Sequence, residues 1–287
     1  MNILVTGANG QLGNEMRVLS KEHKKHQYFF TDVIEAEDTY PLDITDKAAV
    51  SAFVAEKSID LIVNCAAYTN VDKAEEDEAT AQRINADALA VLGAQGIKVI
   101  HISTDYVFSG DEHLPCRESD PVAPRTAYGR TKYMGEKNLL AACPEAVILR
   151  TAWLYSTYGN NFVKTMIRLG KEKEQLGVVF DQIGTPTYAA DLANAIFTVI
   201  ESAVWRPGIY HFTNEGVCSW YDFTLAIHEL AGITNCRVRP ILSEEYQYRT
   251  PRPHYSVLDK SKFKKTFGVE IPHWKASLER CVKLLNS

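Results

Sequence analysis

The sequence predicts an α/β fold: a doubly wound parallel sheet followed by a smaller C-terminal α/β lobe. Three observations carry this. Over the first 150 residues, short β-rich runs alternate with longer helical patterns, which is the sign of βαβ units with right-handed crossovers. Several of those runs are apolar on consecutive residues, as strands covered on both faces are. After about Thr151 the rhythm breaks, so a second lobe is expected there.

In order, strands are predicted at Asn2–Thr6, Gln27–Asp32, Leu61–Ala66, Lys98–Ser103 and Val147–Thr151. Helices are predicted between them, at Leu12–Lys21, Lys47–Glu56, Ala79–Gln95 and Ala127–Ala142. The acidic run Asp72 to Glu78 reads as a solvated segment leading into a helix. In the second half, Asn161–Leu169 reads as a helix, Val178–Phe180 as a short strand and Asp191–Ser202 as a helix with an acidic start. Tyr210–Thr213 reads as a strand, and Ser219–Ala231 as a helix with Ser219 as its N-cap. Pro240 to Tyr255, rich in proline, arginine and tyrosine, reads as a functional loop. Helices at Asp259–Phe267 and His273–Leu285 close the chain. The expected division is a sheet domain over 1–150, with 178–202 returning to it, and a smaller lobe from 151–177 and 203–287.

Length and composition bound the function. At 287 residues the chain fits one large domain or two fused ones, with a core that needs no staple. Apolar residues make up 46% and charged residues 23%, as in ordinary globular proteins. The net charge of -5 argues against a broad nucleic-acid or anionic-membrane face. No apolar run reaches the ~18 residues of a membrane span, and the N-terminus does not read as a signal peptide. Cys65, Cys116, Cys143, Cys218, Cys236 and Cys281 include no pair within four residues, so they read as reduced thiols of a cytoplasmic protein.

The first strand runs into Gly7-Ala8-Asn9-Gly10-Gln11-Leu12-Gly13, which opens a helix. Glycines at this spacing let the backbone turn tightly and approach a pyrophosphate, and the helix N-terminus offers free N–H groups and a positive dipole end. The pattern is that of a Rossmann-type dinucleotide site. Asp32 ends the second strand, 19 residues beyond Gly13, where an acidic residue bonds the adenosine ribose. It also repels a 2′-phosphate, which favours NAD over NADP unless Arg17 or a lysine compensates. Asp43-Ile44 can meet the adenine. Asn64-Cys65-Ala66-Ala67-Tyr68 ends the third long strand, and its small residues Ala66 and Ala67 leave room for the cofactor, with Tyr68 beside them.

Tyr128 and Lys132 stand four apart, one turn along a helix face. A nearby ammonium lowers the phenol's pKa toward the working range. Alone this spacing is common. Here it follows a strand ending in Ser103-Thr104-Asp105, whose hydroxyl can reach the same substrate oxygen as Tyr128.

Together these strings resemble the extended short-chain dehydrogenase/reductases over nearly the whole chain. The residues are Gly10-Gln11-Leu12-Gly13, Val71-Asp72-Lys73-Ala74-Glu75, Ser103-Thr104-Asp105-Tyr106-Val107-Phe108, Tyr128-Gly129 with Lys132 and Gly135-Glu136, Arg150-Thr151-Ala152-Trp153-Leu154-Tyr155, Asn161-Phe162-Val163, Asp181-Gln182-Ile183-Gly184-Thr185-Pro186-Thr187, and Arg252-Pro253 with Ser256. The Ser-Thr-Asp-Tyr-Val-Phe and Asp-Gln-x-Gly-x-Pro-Thr strings are similar to the dTDP-4-dehydrorhamnose reductase branch. That resemblance implies reduction of a dTDP-sugar C4 ketone by NADPH or NADH, the last step of dTDP-L-rhamnose synthesis. It implies a triad of Thr104, Tyr128 and Lys132: Tyr128 as proton donor, Lys132 on the nicotinamide ribose and tuning the tyrosine, and Thr104 donating to the developing alkoxide. By analogy Asn85 supports the lysine.

The smaller lobe is then expected to take the dTDP-sugar. Tyr106, Trp153, Asp181, Gln182 and Arg252 are the candidate substrate contacts. Trp153 can pack on the sugar or nicotinamide, or serve as a core tryptophan. Arg249 and Arg252 can pair with the diphosphate or remain solvated. His211 and His254 read as structural. No metal motif is seen. The resemblance makes Glu15 a weak magnesium candidate at a homodimer interface, against the simpler reading of a carboxylate complementing the helix dipole. Two alternatives stand beside the reductase. A dehydratase of the same fold carries Thr-Asp-Glu where this chain has Thr104-Asp105-Tyr106, and an epimerase returns the hydride to its own substrate. A non-catalytic NADP-binding subunit, like the regulatory subunit of methionine adenosyltransferase, binds the cofactor and reduces nothing.

Overall fold

The computed structural model describes residues 1–286. Seven strands form one parallel sheet: β1 (Asn2–Thr6), β2 (Gln27–Asp32), β3 (Tyr40–Pro41), β4 (Leu61–Asn64), β5 (Lys98–Thr104), β6 (Val147–Thr151) and β11 (Gly208–His211). Their spatial order is β11-β6-β5-β4-β1-β2-β3, so the direction of winding reverses between β1 and β4. The predicted doubly wound sheet is what the chain forms. Its inner strands are buried along their length, Leu61–Asn64 and Val147–Thr151 completely, which explains why they read as unbroken apolar runs.

Helices cover both faces. Against one lie α1 (Gln11–Ser20) and α8 (Ala189–Glu201), in a core that joins Ile3, Val5 and Leu149 to Met16, Leu192 and Ile196. Against the other lie α2 (Lys47–Glu56), α5 (Ala88–Gly93) and α6 (Ala127–Ala142), in a core of Leu4, Ile62 and Ile148 with Val50, Leu89 and Leu139. Between β4 and α5 come α3 (Val71–Glu76), α4 (Glu78–Gln82) and a π-helical turn at Arg83–Asp87. The acidic run expected as a solvated lead-in is therefore largely helical. Asn70 caps α3 by accepting from Lys73 N, and Asp77 caps α4 by accepting from Thr80 N.

The smaller lobe holds β7 (Leu154–Tyr155), α7 (Phe162–Glu172), β8 (Gln175–Val179), β9 (Ile183–Gly184), β10 (Thr187–Tyr188), β12 (Cys218–Ser219), α9 (Trp220–Leu230), β13 (Arg237–Ile241) and α11 (Trp274–Leu285), whereas α10 (Ser261–Phe267) packs through Phe263 on β11 of the large sheet. Ser219 caps α9 as expected, in a full capping box with Asp222. A core of Tyr155, Val163, Phe223, Ile227, Trp274 and Leu278 joins α7, α9 and α11.

Besides α10, the expected division needs correcting in two places. Only the helical part of 178–202 packs on the large sheet. The strand before it, β8, pairs in parallel with β13 along Gln175–Val179 and Arg237–Ile241, inside the smaller lobe. Conversely β11 lies within 203–287 yet adds to the edge of the large sheet, pairing with β6. Its apolar Tyr210, with Phe212 just past it, joins the α8 core, so burial overrides sequence neighbourhood.

Candidate active site

The switch point between β1 and β4 shapes the cofactor side. Gly7 leaves β1 at φ +65°, and a Cβ there would sit 2.5 Å from Ala66 N. A Cβ on Gly13 would sit 2.4 Å from Gly7 O. Glycine is thus required for the two chain crossings to close. The helix that follows, α1, starts at Gly10 with no side-chain cap, leaving its first N–H groups for a ligand. A cleft of about 950 Å³ opens here. Gly7, Asn9, Gly10, Gln11, Leu12, Asp32, Asp43, Ile44, Ala66, Ala67, Thr104, Tyr128 and Lys132 all line it. Two expected members sit elsewhere. Gly13 packs on Gly7 and Ala8 behind the loop. Tyr68 is turned into a small cluster with Ala74 and Ala81, its backbone pinned by Asn85.

Asp32 accepts from Asn9 N at 3.0 Å and Ile34 N at 3.1 Å, which fixes its carboxylate at the cleft wall. Arg17, the residue expected to offset it, is engaged elsewhere: its guanidinium donates to Asp38 O and Thr39 Oγ1 and covers the Phe30 ring.

Thr104, Tyr128 and Lys132 share this cleft, with Tyr128 hydrogen-bonded to Thr104. Thr104 ends β5, its hydroxyl donating to Asp105 Oδ1 at 2.9 Å and accepting from Tyr106 N at 3.2 Å. Thr126 caps α6 by accepting from Gly129 N at 3.0 Å, which sets Tyr128 in the first turn. Burial pushes the Tyr128 phenol above its ordinary value, and a hydrogen bond with Thr104 only partly offsets this. Lys132, expected to lower it, is not among the groups that shift it; Asp105 and Tyr106 are, and both raise it. The amine instead donates to Ile102 O at 2.6 Å and lies 3.2 Å from His101 Nε2. Burial brings Lys132 down to about 8, against the field of Glu136. A phenol that keeps its proton at neutral pH is in the state a proton donor needs. Asn85 makes its direct hydrogen bonds to the Tyr68 backbone and Thr131 Oγ1 rather than to the lysine amine.

A second cleft of about 480 Å³ continues from the first. Asp105, Tyr106, Thr69, Val71 and Trp153 line both. Tyr106 meets the Tyr128 ring edge-on, with centroids 5.4 Å apart. Trp153, held at φ +50°, stacks on Trp220 at 3.5 Å. Gln182 and Arg252 line this cleft, and Arg252 donates to Asp72 Oδ2 at 2.8 Å. Asp181 instead braces a loop, since its carboxylate accepts from Ser243 N and Oγ and so closes the turn after β13. Arg249 pairs with Glu76 at the exposed rim. His211 is buried against Cys116 O, and burial and Arg150 bring it down to about 3, which suits a neutral structural histidine. His254 sits at the surface near Asp181 O. Glu15 is buried, accepting from Ser156 Oγ at 2.6 Å, and burial raises its pKa. Among the described residues no group of three or more metal-ligating side chains gathers around it.

Asp105 escaped the sequence reading although it stands inside the Ser-Thr-Asp-Tyr string. It is buried, and burial raises its carboxyl to about 7 against the hydrogen bonds it accepts. A carboxyl raised on folding stabilises fully below its unfolded pKa and loses that contribution as pH rises through the folded value. Asp105→Asn is therefore expected to raise stability by about 2–4 kcal/mol at pH 8 and by little at pH 4. Unfolding in urea at both pH values checks this, and an equal change at both would remove the titration account.

A protein named dTDP-4-dehydrorhamnose reductase from Aggregatibacter actinomycetemcomitans is 38% identical over 96% of this chain and 97% of its own. The crystal structure of a dTDP-4-dehydrorhamnose reductase from Clostridium acetobutylicum ATCC 824 superimposes with a TM-score of 0.93 at 44% identity, covering both chains completely. That of the Bacillus anthracis str. Ames reductase, in complex with NADP, gives 0.90 at 38% identity over 99% of each chain. The model of the RmlD substrate binding domain family matches residues 1–287, and with the switch-point glycines, the Thr104–Tyr128–Lys132 floor and the joined clefts in place, the chain belongs to that family.

Proposed function

We propose that the protein reduces the C4 ketone of dTDP-4-dehydro-L-rhamnose to dTDP-L-rhamnose, using NADPH or NADH. The observation that carries this is that Thr104, Tyr128 and Lys132 line the larger cleft beside Asp105 and Tyr106, which it shares with the second cleft. The larger cleft fits a dinucleotide: its glycines leave room only for backbone, its helix end offers N–H groups to a pyrophosphate, and Asp32 stands at the ribose wall. The bound reduced nicotinamide supplies the hydride. Gln11 and Leu12 bind the pyrophosphate through backbone N–H groups, and Lys132 holds the nicotinamide ribose. Tyr128 gives its phenolic proton to the carbonyl oxygen. Thr104 turns its O–H from Asp105 to the same oxygen and stabilises the charge that develops there. In the second cleft Tyr106, Trp153 and Gln182 hold the nucleotide sugar, and Arg252 reaches its diphosphate. The two lobes thus divide the ligands, with β11 and α8 belonging to the cofactor side. All six cysteines are free, which fits a reducing cytoplasm.

The test is loss of reduced-nicotinamide absorbance with enzymatically made dTDP-4-dehydro-L-rhamnose and each cofactor in turn. Sugar-dependent oxidation is expected with at least one of them. Asp32→Ala is expected to move the preference toward NADPH, since the carboxylate opposes a 2′-phosphate. Cofactor binding with no sugar-dependent oxidation would support a binding protein instead.

A further inference from the structure

A buried polar chain leads inward from Lys132, and neither proton donation nor ribose binding uses it. Thr6, Asn64 and His101 are register partners across the adjacent parallel strands β1, β4 and β5, so they form one row along the sheet. Thr6 Oγ1 lies 2.6 Å from Asn64 Oδ1, Asn64 Nδ2 lies 2.9 Å from His101 Nδ1, and His101 Nε2 lies 3.2 Å from Lys132 Nζ. All four side chains are at most 2% exposed. Buried polar atoms must be paired, so the direction of each hydrogen bond is constrained by the next.

Two settings of opposite direction satisfy the links from Lys132 to Asn64, and an ammonium, which can only donate, permits just one of them. With a charged Lys132, the amine donates to His101 Nε2. The imidazole then carries its hydrogen on Nδ1 and needs the Asn64 amide oxygen opposite it. A neutral Lys132, which has a lone pair, also permits the other: the amine accepts from Nε2–H while Asn64 N–H donates to Nδ1 and Thr6 O–H donates to the amide oxygen. In both settings the amine keeps its bond to Ile102 O. His101 itself stays uncharged, because burial and the neighbouring lysine hold it well below the usual imidazole range.

We propose that His101, keyed by Asn64 and Thr6, is a positioning residue for Lys132: it fixes the amine on the cleft floor and changes tautomer as the lysine gains or loses its proton. This rests on the reductase reading. Other ionisable groups share the surroundings. Glu136 and Tyr128 come from α6, with Glu136 matched by Arg150; Asp105 follows β5, and Cys65 follows β4. Of these, Glu136 acts on the lysine by charge and favours its ammonium form.

Glutamine at 101 places an amide near the position of Nε2, and asparagine places one near Nδ1 only. Lys132 titration is followed by NMR of its ε carbon, assigned with Lys132→Met, in the native protein, His101→Gln and His101→Asn. The Gln variant is expected to titrate like the native protein. The Asn variant is expected to titrate roughly one pH unit lower, because the ammonium has lost an acceptor. The alkaline limb of kcat is expected to move with it. Equal titration in both variants, or a limb that stays while the titration moves, overturns the proposal. Imidazole ¹⁵N shifts of the native protein supply a test that no variant can spoil. A tautomer that changes across the Lys132 titration supports the proposal, and one that stays constant overturns it. The NMR measurements need no turnover, so absence of ketosugar reduction would remove the reductase reading and leave this test standing.

Discussion

Tyr128→Phe is expected to lower ketosugar turnover by ~10²–10⁴-fold while leaving NADPH binding largely intact. The substitution removes one hydroxyl and keeps the ring that meets Tyr106 edge-on. What disappears is the proton for the carbonyl oxygen and the hydrogen bond with Thr104. On the proposed reading NADPH affinity rests on other groups, the α1 N-terminus and Lys132, which the change does not touch. Single-turnover rates and cofactor fluorescence titration separate the two quantities. Full activity in the variant would mean that another group donates the proton. Asp105, with its carboxyl raised to about 7 and the Thr104 hydroxyl within 2.9 Å, is then the group to test.

The largest stability effect is expected at Arg150. Its guanidinium donates to both Glu136 oxygens, at 2.9 and 2.6 Å, and both side chains are almost completely buried. Ser103 Oγ donates to the same carboxylate at 2.5 Å. The pair ties β6 to α6 directly behind Thr104 and Lys132. Arg150→Met leaves a buried carboxylate without its counter-charge, and a cost of about 3–5 kcal/mol is expected. The double variant Arg150→Met/Glu136→Leu removes both charges and is expected to recover part of that loss. Urea unfolding of the two variants decides it. A cost under about 1 kcal/mol for Arg150→Met alone would show that the carboxylate takes up a proton or reaches water.

The parts of the fold that could be read from the chain are those where one local pattern decides the outcome. Asn2–Thr6 followed by Gly7, Gly10 and Gly13 admits one structure, because the crossing at Ala66 leaves no room for a side chain. The short edge elements carried no such pattern. Tyr40–Pro41 is exposed and pairs only at the sheet margin, so burial leaves no mark on it. Arg237–Ile241 holds two arginines and a proline, the composition of an edge strand, and only its last two residues overlap the loop read over Pro240 to Tyr255.

The site divides in the same way. Tyr128 and Lys132 share a helix face, and their proximity follows from a spacing of four. The resemblance makes Asp181 a substrate candidate, and charge makes Arg17 an offset to Asp32, but each finds a partner on a distant loop. His101 lies 31 residues from Lys132 and meets it only because α6 packs over β5. The pKa of Tyr128 was misread for a related reason: helix spacing shows the neighbour, while the degree of burial and the direction of the lysine amine belong to tertiary structure.

Hydride is to reach the sugar C4 carbon on the floor formed by Thr104, Tyr128 and Lys132, and everything else in the mechanism depends on that transfer. It is tested most directly by supplying NADPH deuterated at nicotinamide C4 together with dTDP-4-dehydro-L-rhamnose. NMR of the product then locates the label. Deuterium at C4 of a dTDP-L-rhamnose product is the predicted result. Deuterium at any other sugar carbon, or NADPH that binds and is not consumed in the presence of the sugar, would contradict it.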